Sequence, residues 1–387
     1  MEKVNNKSVL YESTSPTTTI FDLVMNYLNE KYELRFNTIA LELEIRVKEN
    51  EDWTELNINS LLIELIKSGM NISMQKLEYL AKSHLIEKYN PILEYFENLP
   101  KWDGENHIQK LASFIQTNDN EAFFYHLEKW LTRAVLCALK KDYINKQCFV
   151  LASSKQNTGK TTFLRFLIPK ALKNYYSENV SVDKDGIIAI CKNFILNADE
   201  LSVLSKSDVN TLKSYISMNG AKVRVPYGRK PENFDRICSF VASTNRKDFL
   251  TDETGSVRWL VFEVINIDFN YSKEIDMDKV WSQAYYNAFK RKDYQPEMTL
   301  EDIEANELRN EQFSQVTLEQ EIVMAHFEKS KELKDFLTAT DIVVAMNIAL
   351  NLKLNNIRVG KALTKLKYER IKHPKLQVYG YLIKRKI

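Results

Sequence analysis

Eight consecutive residues, Ser154-Lys155-Gln156-Asn157-Thr158-Gly159-Lys160-Thr161, combine one glycine, two lysines and five hydroxyl or amide side chains. An apolar run, Gln147–Ser153, precedes them, and Thr162–Leu167 follows with a helix-like pattern. A buried strand, a loop ending in Gly-Lys-Thr and a helix start together form the layout that binds phosphate. Backbone N–H groups around Ser154, Asn157, Thr158, Gly159 and Thr162 would face the phosphate oxygens of ATP. Lys160 would reach the β- and γ-phosphates, and the Thr161 hydroxyl would ligate Mg²⁺. The pattern departs from the usual loop at its first position, where Ser154 replaces glycine, so the turn there has to keep φ negative or accept strain. The alternative is a lysine-rich surface loop joining strand to helix.

Three flanking strands carry polar groups that such a site needs. Phe194-Ile195-Leu196 runs into Asn197-Ala198-Asp199-Glu200, leaving two acids at the strand's C-terminal end, the edge where ligands gather in open α/β sheets. Asp199 would hold Mg²⁺ through water, and Glu200 would polarise the attacking water. Ile237–Ala242 leads into Ser243-Thr244-Asn245-Arg246, where Asn245 could orient that water. Ser256–Val264 reads as a strand with Arg258 near its start. An exposed Asp-Glu pair at a strand end is common alone; the joint order of these segments is not.

On these residues the chain resembles the virulence-associated E (VirE-like) proteins of bacterial mobile elements and phages. That family is similar to the helicase half of poxvirus-type primase-helicases and to superfamily-3 helicases. The resemblance rests on Ser154–Thr161, Asn197–Glu200, Lys222–Phe234, Ser243–Arg246 and Asp252–Trp259, with Tyr89–Pro91 and Leu99–Gly104 upstream, and it covers roughly residues 89–320. It implies a motor that works as a closed homo-oligomeric ring, such as a hexamer, with each ATP at a subunit boundary. Lys160, Thr161, Asp199, Glu200 and Asn245 would come from one subunit and an arginine finger, Arg258, from the next; Arg246 is the rival finger. Family members often carry a primase domain upstream. This chain leaves no room for one, so a separate primase is the expected partner.

The segment Ala221–Lys230 alternates Lys222 and Arg224 with Val223 and Val225, which puts the two charges on one face of a hairpin turned by Pro226-Tyr227-Gly228. Superfamily-3 motors place a basic hairpin at this point in the chain, inside the pore. The resemblance therefore assigns Lys222, Arg224, Arg229 and Lys230 to single-stranded DNA phosphates. A solvated hairpin face is the alternative.

With 387 residues, 44% hydrophobic and 27% charged, the chain has the composition of folded domains with real cores. Nine glycines and eight prolines argue against long flexible linkers. No run approaches the ~20 apolar residues of a membrane span. The polar start, without an apolar signal core, predicts a cytoplasmic protein with no membrane partner. Cys137, Cys148, Cys191 and Cys238 lie far apart without a Cys-x₂-Cys pair, which reads as reduced core thiols and not as a zinc site.

Read in order, residues 1–19 form a flexible leader. Residues 20–88 form a small α+β module: a helix over 20–29, a hairpin around Asn37-Thr38, and helices over 59–68 and 73–88 capped by Asn59 and Ser73. Residues 89–146 form a helical collar, with helices at 91–98, 108–115 and 121–139, and 147–296 form the motor core. An acidic connector helix spans 297–317. Residues 318–387 run helix, turn, helix, hairpin, the order of a winged helix. From Asn351 onward eleven Lys and Arg face one Glu369, an electrostatic footprint for nucleic acid in which Arg358, Lys361 and Lys365 lie on the second helix and would contact duplex DNA. A basic surface for an acidic protein partner is the alternative.

The expected fold is thus α/β, a P-loop NTPase core of the AAA+ and superfamily-3 kind with a helical and α+β N-terminal region and a C-terminal winged helix. The expected activity is an ATP- and Mg²⁺-dependent DNA-translocating motor, a replicative helicase of a phage or mobile element. Two other classes stay open: an ATP-switched DNA-binding initiator that does not unwind, and an ATPase that acts on protein.

Overall fold

The structure, a computed structural model, describes residues 18–386 except 51, 179, 182, 202–204, 224–229, 247, 251–255 and 351. The N-terminal segment runs α1 (Ile20–Lys31), β1 (Tyr32–Asn37), β2 (Glu42–Val47), β3 (Thr54–Glu55), α2 (Ile58–Lys67), α3 (Met74–Ala81) and β4 (Glu87–Tyr89). A capping box closes the start of α1, with Thr19 and Asp22 satisfying each other's backbone N–H groups. Strands β1 and β2 pair antiparallel from Tyr32↔Val47 to Asn37↔Glu42, and β4 adds to β1 in parallel. Val24, Leu28, Leu61, Leu65, Leu77 and Leu80 pack the core of this module.

Two expectations for this module are corrected. The periodic pattern of 73–88 stops being helical at Ala81, because the Ser83 hydroxyl donates to the Leu80 carbonyl and accepts the Leu85 N–H, closing a turn that frees residues 87–89 to pair with β1. The cap of α2 is Asn57 and not Asn59; its side chain accepts the N–H groups of Asn59 and Ser60.

Next come α4 (Pro91–Glu97), α5 (His107–Ser113), β5 (Ile115–Thr117) and α6 (Asn120–Leu139). Ile115 therefore belongs to a strand, not to the end of a helix, since its backbone pairs with Ile267. Of the aromatics on α6, Phe123 and Trp130 are buried in the core, while Tyr125 is exposed. The chain continues through β6 (Cys148–Ala152), α7 (Lys160–Phe166), β7 (Tyr176–Glu178), α8 (Lys184–Lys192), β8 (Ile195–Ala198), α9 (Lys206–Ser217), β9 (Gly220–Val223), β10 (Glu232–Asp235), β11 (Ser239–Thr244) and β12 (Trp259–Ile267). Helices α10 (Tyr271–Glu274), α11 (Met277–Phe289) and α12 (Leu300–Asn310) follow.

Six strands form one sheet in the order β5-β12-β6-β11-β8-β7. All adjacent pairs are parallel except β5 with β12. Four of these strands are legible as apolar runs; β5 and β7, three residues each, are not. Every residue of β6 and of β11 is buried, as continuous apolar strands in a two-sided layer must be. The fold is mixed α/β. Burial pushes the thiols of Cys137, Cys148, Cys191 and Cys238 above their ordinary pKa, and all four are free and buried.

By contacts the chain divides into two units. One takes in the chain up to Asn245 with Val257–Asn306; the other takes in Arg246–Ser256 with Glu307–Ile387. The second unit holds α13 (Leu318–His326), β13 (Phe327–Lys329), β14 (Phe336–Leu337), α14 (Ala339–Leu350), α15 (Asn356–Lys365), β15 (Arg370–Lys372) and β16 (Tyr379–Arg385). Strand β16 pairs antiparallel with β13, β14 and β15. Thr338 and Asp341 form a capping interaction at the start of α14, and Asn355 caps α15. Val323, Phe327, Ile342, Leu363 and Ile383 form its core. Among the described residues no helix is long and apolar enough to cross a membrane.

Candidate functional site

Strand β6 ends at Ala152 in the middle of the sheet, and Ser153 still donates its N–H to the Thr244 carbonyl of β11 at 3.1 Å. Beyond it the chain turns through Ser154–Thr158, and α7 begins at Lys160. The left-handed positions of this loop are Asn157 (φ 55°) and Gly159 (φ 85°), not Ser154. The serine at the first position is therefore tolerated without left-handed strain, and asparagine is among the side chains that adopt this conformation most readily. Gly159 is favoured by its φ, and its bare Cα is met by the Phe269 ring, 2.6 Å from where a Cβ would lie.

Lys160 is 5% exposed. Its ammonium donates to Asn245 Oδ1 at 2.9 Å, to Thr158 Oγ1 at 3.0 Å and to the Lys155 carbonyl at 3.4 Å. Burial holds its pKa below the ordinary lysine value, and the charge of Asp199 opposes that shift. Thr161 Oγ1 donates to Asp199 Oδ1 at 2.9 Å, and the Ser243 hydroxyl donates to the same oxygen. Lys160, Thr161, Asp199 and Asn245, drawn from three separate stretches, thus meet at the C-terminal edge of β6, β8 and β11. Glu200 follows in a left-handed conformation (φ 51°) and is exposed. Thr162 is exposed on the first turn of α7, and Ser154 and Asn157 are exposed in the loop.

The oxygens of Thr161, Asp199 and Ser243 are hard donors, two hydroxyls converging on one carboxylate oxygen, a set suited to Mg²⁺ and not to a soft metal. Ser243 was not singled out from the sequence. The available signal was a hydroxyl two residues before Asn245 on a strand, hence on the same face, in an otherwise apolar run. Behind the carboxylate, buried Asn197 donates to the Tyr176 hydroxyl at 3.1 Å, which donates to Glu178 at 2.8 Å; Arg165 of α7 holds that carboxylate through two bonds of 2.9 Å. Burial and the Glu178 bond raise the Tyr176 pKa, keeping it neutral.

Arg258 is not within β12 but just before it, exposed, with its Nε donating to Ser217 Oγ at 2.9 Å. Its carbonyl accepts the N–H of Cys148, the first residue of β6. It therefore lies at the N-terminal edge of the sheet, ~16 Å from the loop along a five-residue strand rising ~3.3 Å per residue. Arg246 pairs with Asp248 at 3.0 Å. Lys222 is exposed on β9, opposite Asn233 of β10, and Lys230 is exposed just before β10; Arg224 and Arg229 lie outside the described residues. Arg358, Lys361 and Lys365 share the exposed face of α15, while Val359, Ala362 and Leu363 are buried. Arg358 reaches Glu319 at 4.0 Å.

Residues 96–317 match the model of the virulence-associated protein E-like domain. Among solved structures, the chain is similar to the apo C-terminal region of NrS-1 (residues 305–718), at 13% identity and a TM-score of 0.53, covering 95% of this chain and 100% of that one. A second apo structure of that region, the A form, matches at 14% identity and a TM-score of 0.51, covering 94% of this chain and 99% of that one. At such identity the likeness is one of fold. No curated protein matches the chain.

Proposed function

The chain belongs to the virulence-associated protein E-like family, and on that premise we propose that it is an ATP-hydrolysing, Mg²⁺-dependent motor that translocates on DNA, the replicative helicase of a phage or mobile genetic element. One observation carries the reading: buried Lys160 bonded to Asn245, beside Thr161 and Ser243 bonded to Asp199, all at the C-terminal edge of the parallel strands β6, β8 and β11. That edge is where open α/β sheets bind nucleotides. The cluster supplies each group phosphoryl transfer needs in its first step: a cation for the β- and γ-phosphates, oxygen ligands, and an amide to orient water.

Thr161 and Asp199 would hold Mg²⁺, which when bound neutralises charge on the phosphate oxygens. Lys160 would exchange its bonds to Asn245 and Thr158 for phosphate oxygens. Release of Asn245 then leaves its amide available to the attacking water, and Glu200, exposed at the same edge, would accept that water's proton. Arg258 lies too far away to serve its own chain's loop, which supports assembly into a ring in which it serves a neighbour's. The exposed cations Lys222 and Lys230 on the β9–β10 hairpin would follow single-stranded phosphates, and the α15 face would take duplex DNA. In the second unit, α14 and α15 followed by the antiparallel β15–β16 pair support a winged helix for the second role. A separate primase would supply primers.

The test is steady-state phosphate release with and without single-stranded DNA, alongside mass measurement with a non-hydrolysable ATP analogue and strand displacement from a forked duplex. DNA-stimulated hydrolysis, a ring and displacement support the motor. Slow, unstimulated hydrolysis without displacement overturns it in favour of an ATP-switched initiator.

A further inference from the structure

We infer that Phe269 is the platform on which the base of the nucleoside triphosphate stacks, an inference that rests on the phosphate-binding reading of Ser154–Thr161. Strand β12 reaches the level of Ala152 at Glu263 and continues to Ile267. The chain just beyond β12 therefore lies at the same edge of the sheet as the loop. Asp268 fixes it there by donating its N–H to the Phe114 carbonyl at 2.8 Å.

The next side chain, Phe269, meets the loop directly. A methyl group on Gly159 would fall 2.6 Å from its Cε1 and Cζ atoms, so the ring sits against the bare backbone of the glycine that precedes Lys160. It is nonetheless 53% exposed, although a large apolar ring gains free energy in proportion to the area it buries. Its position is backed by rigid packing. Tyr271 is 1% exposed, with its ring centroid 6.3 Å from that of Phe269, and it packs on Phe163 at 5.5 Å and Phe166 at 4.8 Å, both on α7. An aromatic face is thus held open beside the loop by the same helix that presents Lys160. With the phosphates on Lys160, the base must lie outside the loop. A flat π-face there needs no hydrogen-bond register to hold it, because every base has one to offer.

The experiment is calorimetric titration of the full-length protein in Mg²⁺ with two probes, ATP and inorganic tripolyphosphate, for wild type and for Phe269→Ala, Phe269→Leu and Phe269→Tyr. Removing a base-stacking ring weakens binding by roughly tenfold. Phe269→Ala and Phe269→Leu should each lose about that much ATP affinity and keep tripolyphosphate affinity, while Phe269→Tyr keeps both. An unchanged ATP affinity in Phe269→Ala overturns the inference. So does an equal loss for both probes, which would make the ring a prop for Gly159, and so does full ATP affinity in Phe269→Leu, which would make apolar volume sufficient. The phosphate-binding reading fails separately: wild-type protein that binds neither probe, or binds both without dependence on Lys160, overturns it and the platform with it.

Discussion

Replacing Lys160 by Met should separate phosphate chemistry from folding. Met keeps an unbranched side chain one atom shorter and removes the ammonium, its charge and its hydrogen-bond donors together. In the folded chain the ammonium is almost fully buried and bonded to three neutral oxygens. Hydrogen bonds to a charged group contribute roughly 1.5–3 kcal/mol each, while taking an ammonium out of water costs several kcal/mol. The two nearly cancel, so Lys160→Met should change stability by no more than ~1 kcal/mol, a Tm shift of about 1–2 °C for a chain of this size. Hydrolysis has no such compensation. Loss of one preorganised donor aimed at developing charge costs about 10²–10³ in rate. The pH dependence has a definite sign. Burial lowers the folded-state pKa of Lys160 below 10.5, so between the two values the unfolded chain holds more protons and stability rises with pH. That increment should disappear in Lys160→Met. Phosphate release assays with thermal melts at two alkaline pH values read all three quantities. Turnover within a few-fold of wild type would refute the phosphate role, and a melting point lowered by more than about 8 °C would make Lys160 a structural residue.

Glu200→Gln should bind ATP as wild type does and hydrolyse it at least tenfold more slowly; ATP binding as weak as that of Lys160→Ala would contradict its assignment to water. Mixing Arg258→Ala subunits with Lys160→Ala subunits should restore part of the hydrolysis, because some mixed boundaries recover one complete site, whereas no recovery in confirmed rings would favour Arg246 or action within one chain. Lys222→Ala with Lys230→Ala should lower the salt slope of single-strand binding by about 0.7 per lost phosphate contact, while the triple change Arg358→Ala, Lys361→Ala, Lys365→Ala should weaken duplex binding and spare basal hydrolysis; fluorescence anisotropy across a salt series distinguishes them. Arg236→Met should lower stability by several kcal/mol in urea unfolding, because it leaves the buried carbonyls of Tyr215, Ile216, Cys238 and Asn145 without a donor, at about 1–3 kcal/mol for each buried group left unsatisfied.

The parts of the candidate site that could be read from the sequence are those whose chemistry requires contiguous residues. Loop, lysine and threonine lie side by side in the chain, and the strands before Asp199 and Asn245 are apolar runs long enough to recognise. What could not be read depends on pairing between distant segments. Strands β5 and β7 are three residues each and are defined by Thr117↔Val264 and Tyr176↔Ile195, which no local pattern announces. The overrun of α3 toward residue 88 has the same cause, since the parallel partner of β4 is β1, some 50 residues earlier. Arg258 was recognised by its place in the chain, but the edge it occupies follows only from the register Trp259↔Cys148. Ser243 was missed because a serine in a buried strand is ordinary until the carboxylate it bonds is known.

That register has a mechanical consequence on the motor reading. The groups that would hold ATP and the arginine that would complete a neighbour's site stand at opposite edges of one sheet, so a ring contact is felt far from the chain's own loop. Arg258 bonds Ser217, the last residue of α9. The final turn of that same helix gives the carbonyls of Tyr215 and Ile216 to Arg236, which directly follows β10. Arg236 in turn donates its backbone N–H to Asn219, the residue before β9. Both strands of the basic hairpin are therefore rooted on the helix terminus that holds the candidate finger. A displacement of Arg258 toward a neighbour's phosphates would draw on Ser217, and the buried guanidinium, with its several fixed acceptors, leaves the hairpin base little freedom to stay behind. On the proposed motor reading this tie would carry a movement of the arginine to the hairpin proposed to face DNA, a connection that an ATP-dependent assembly switch would not need.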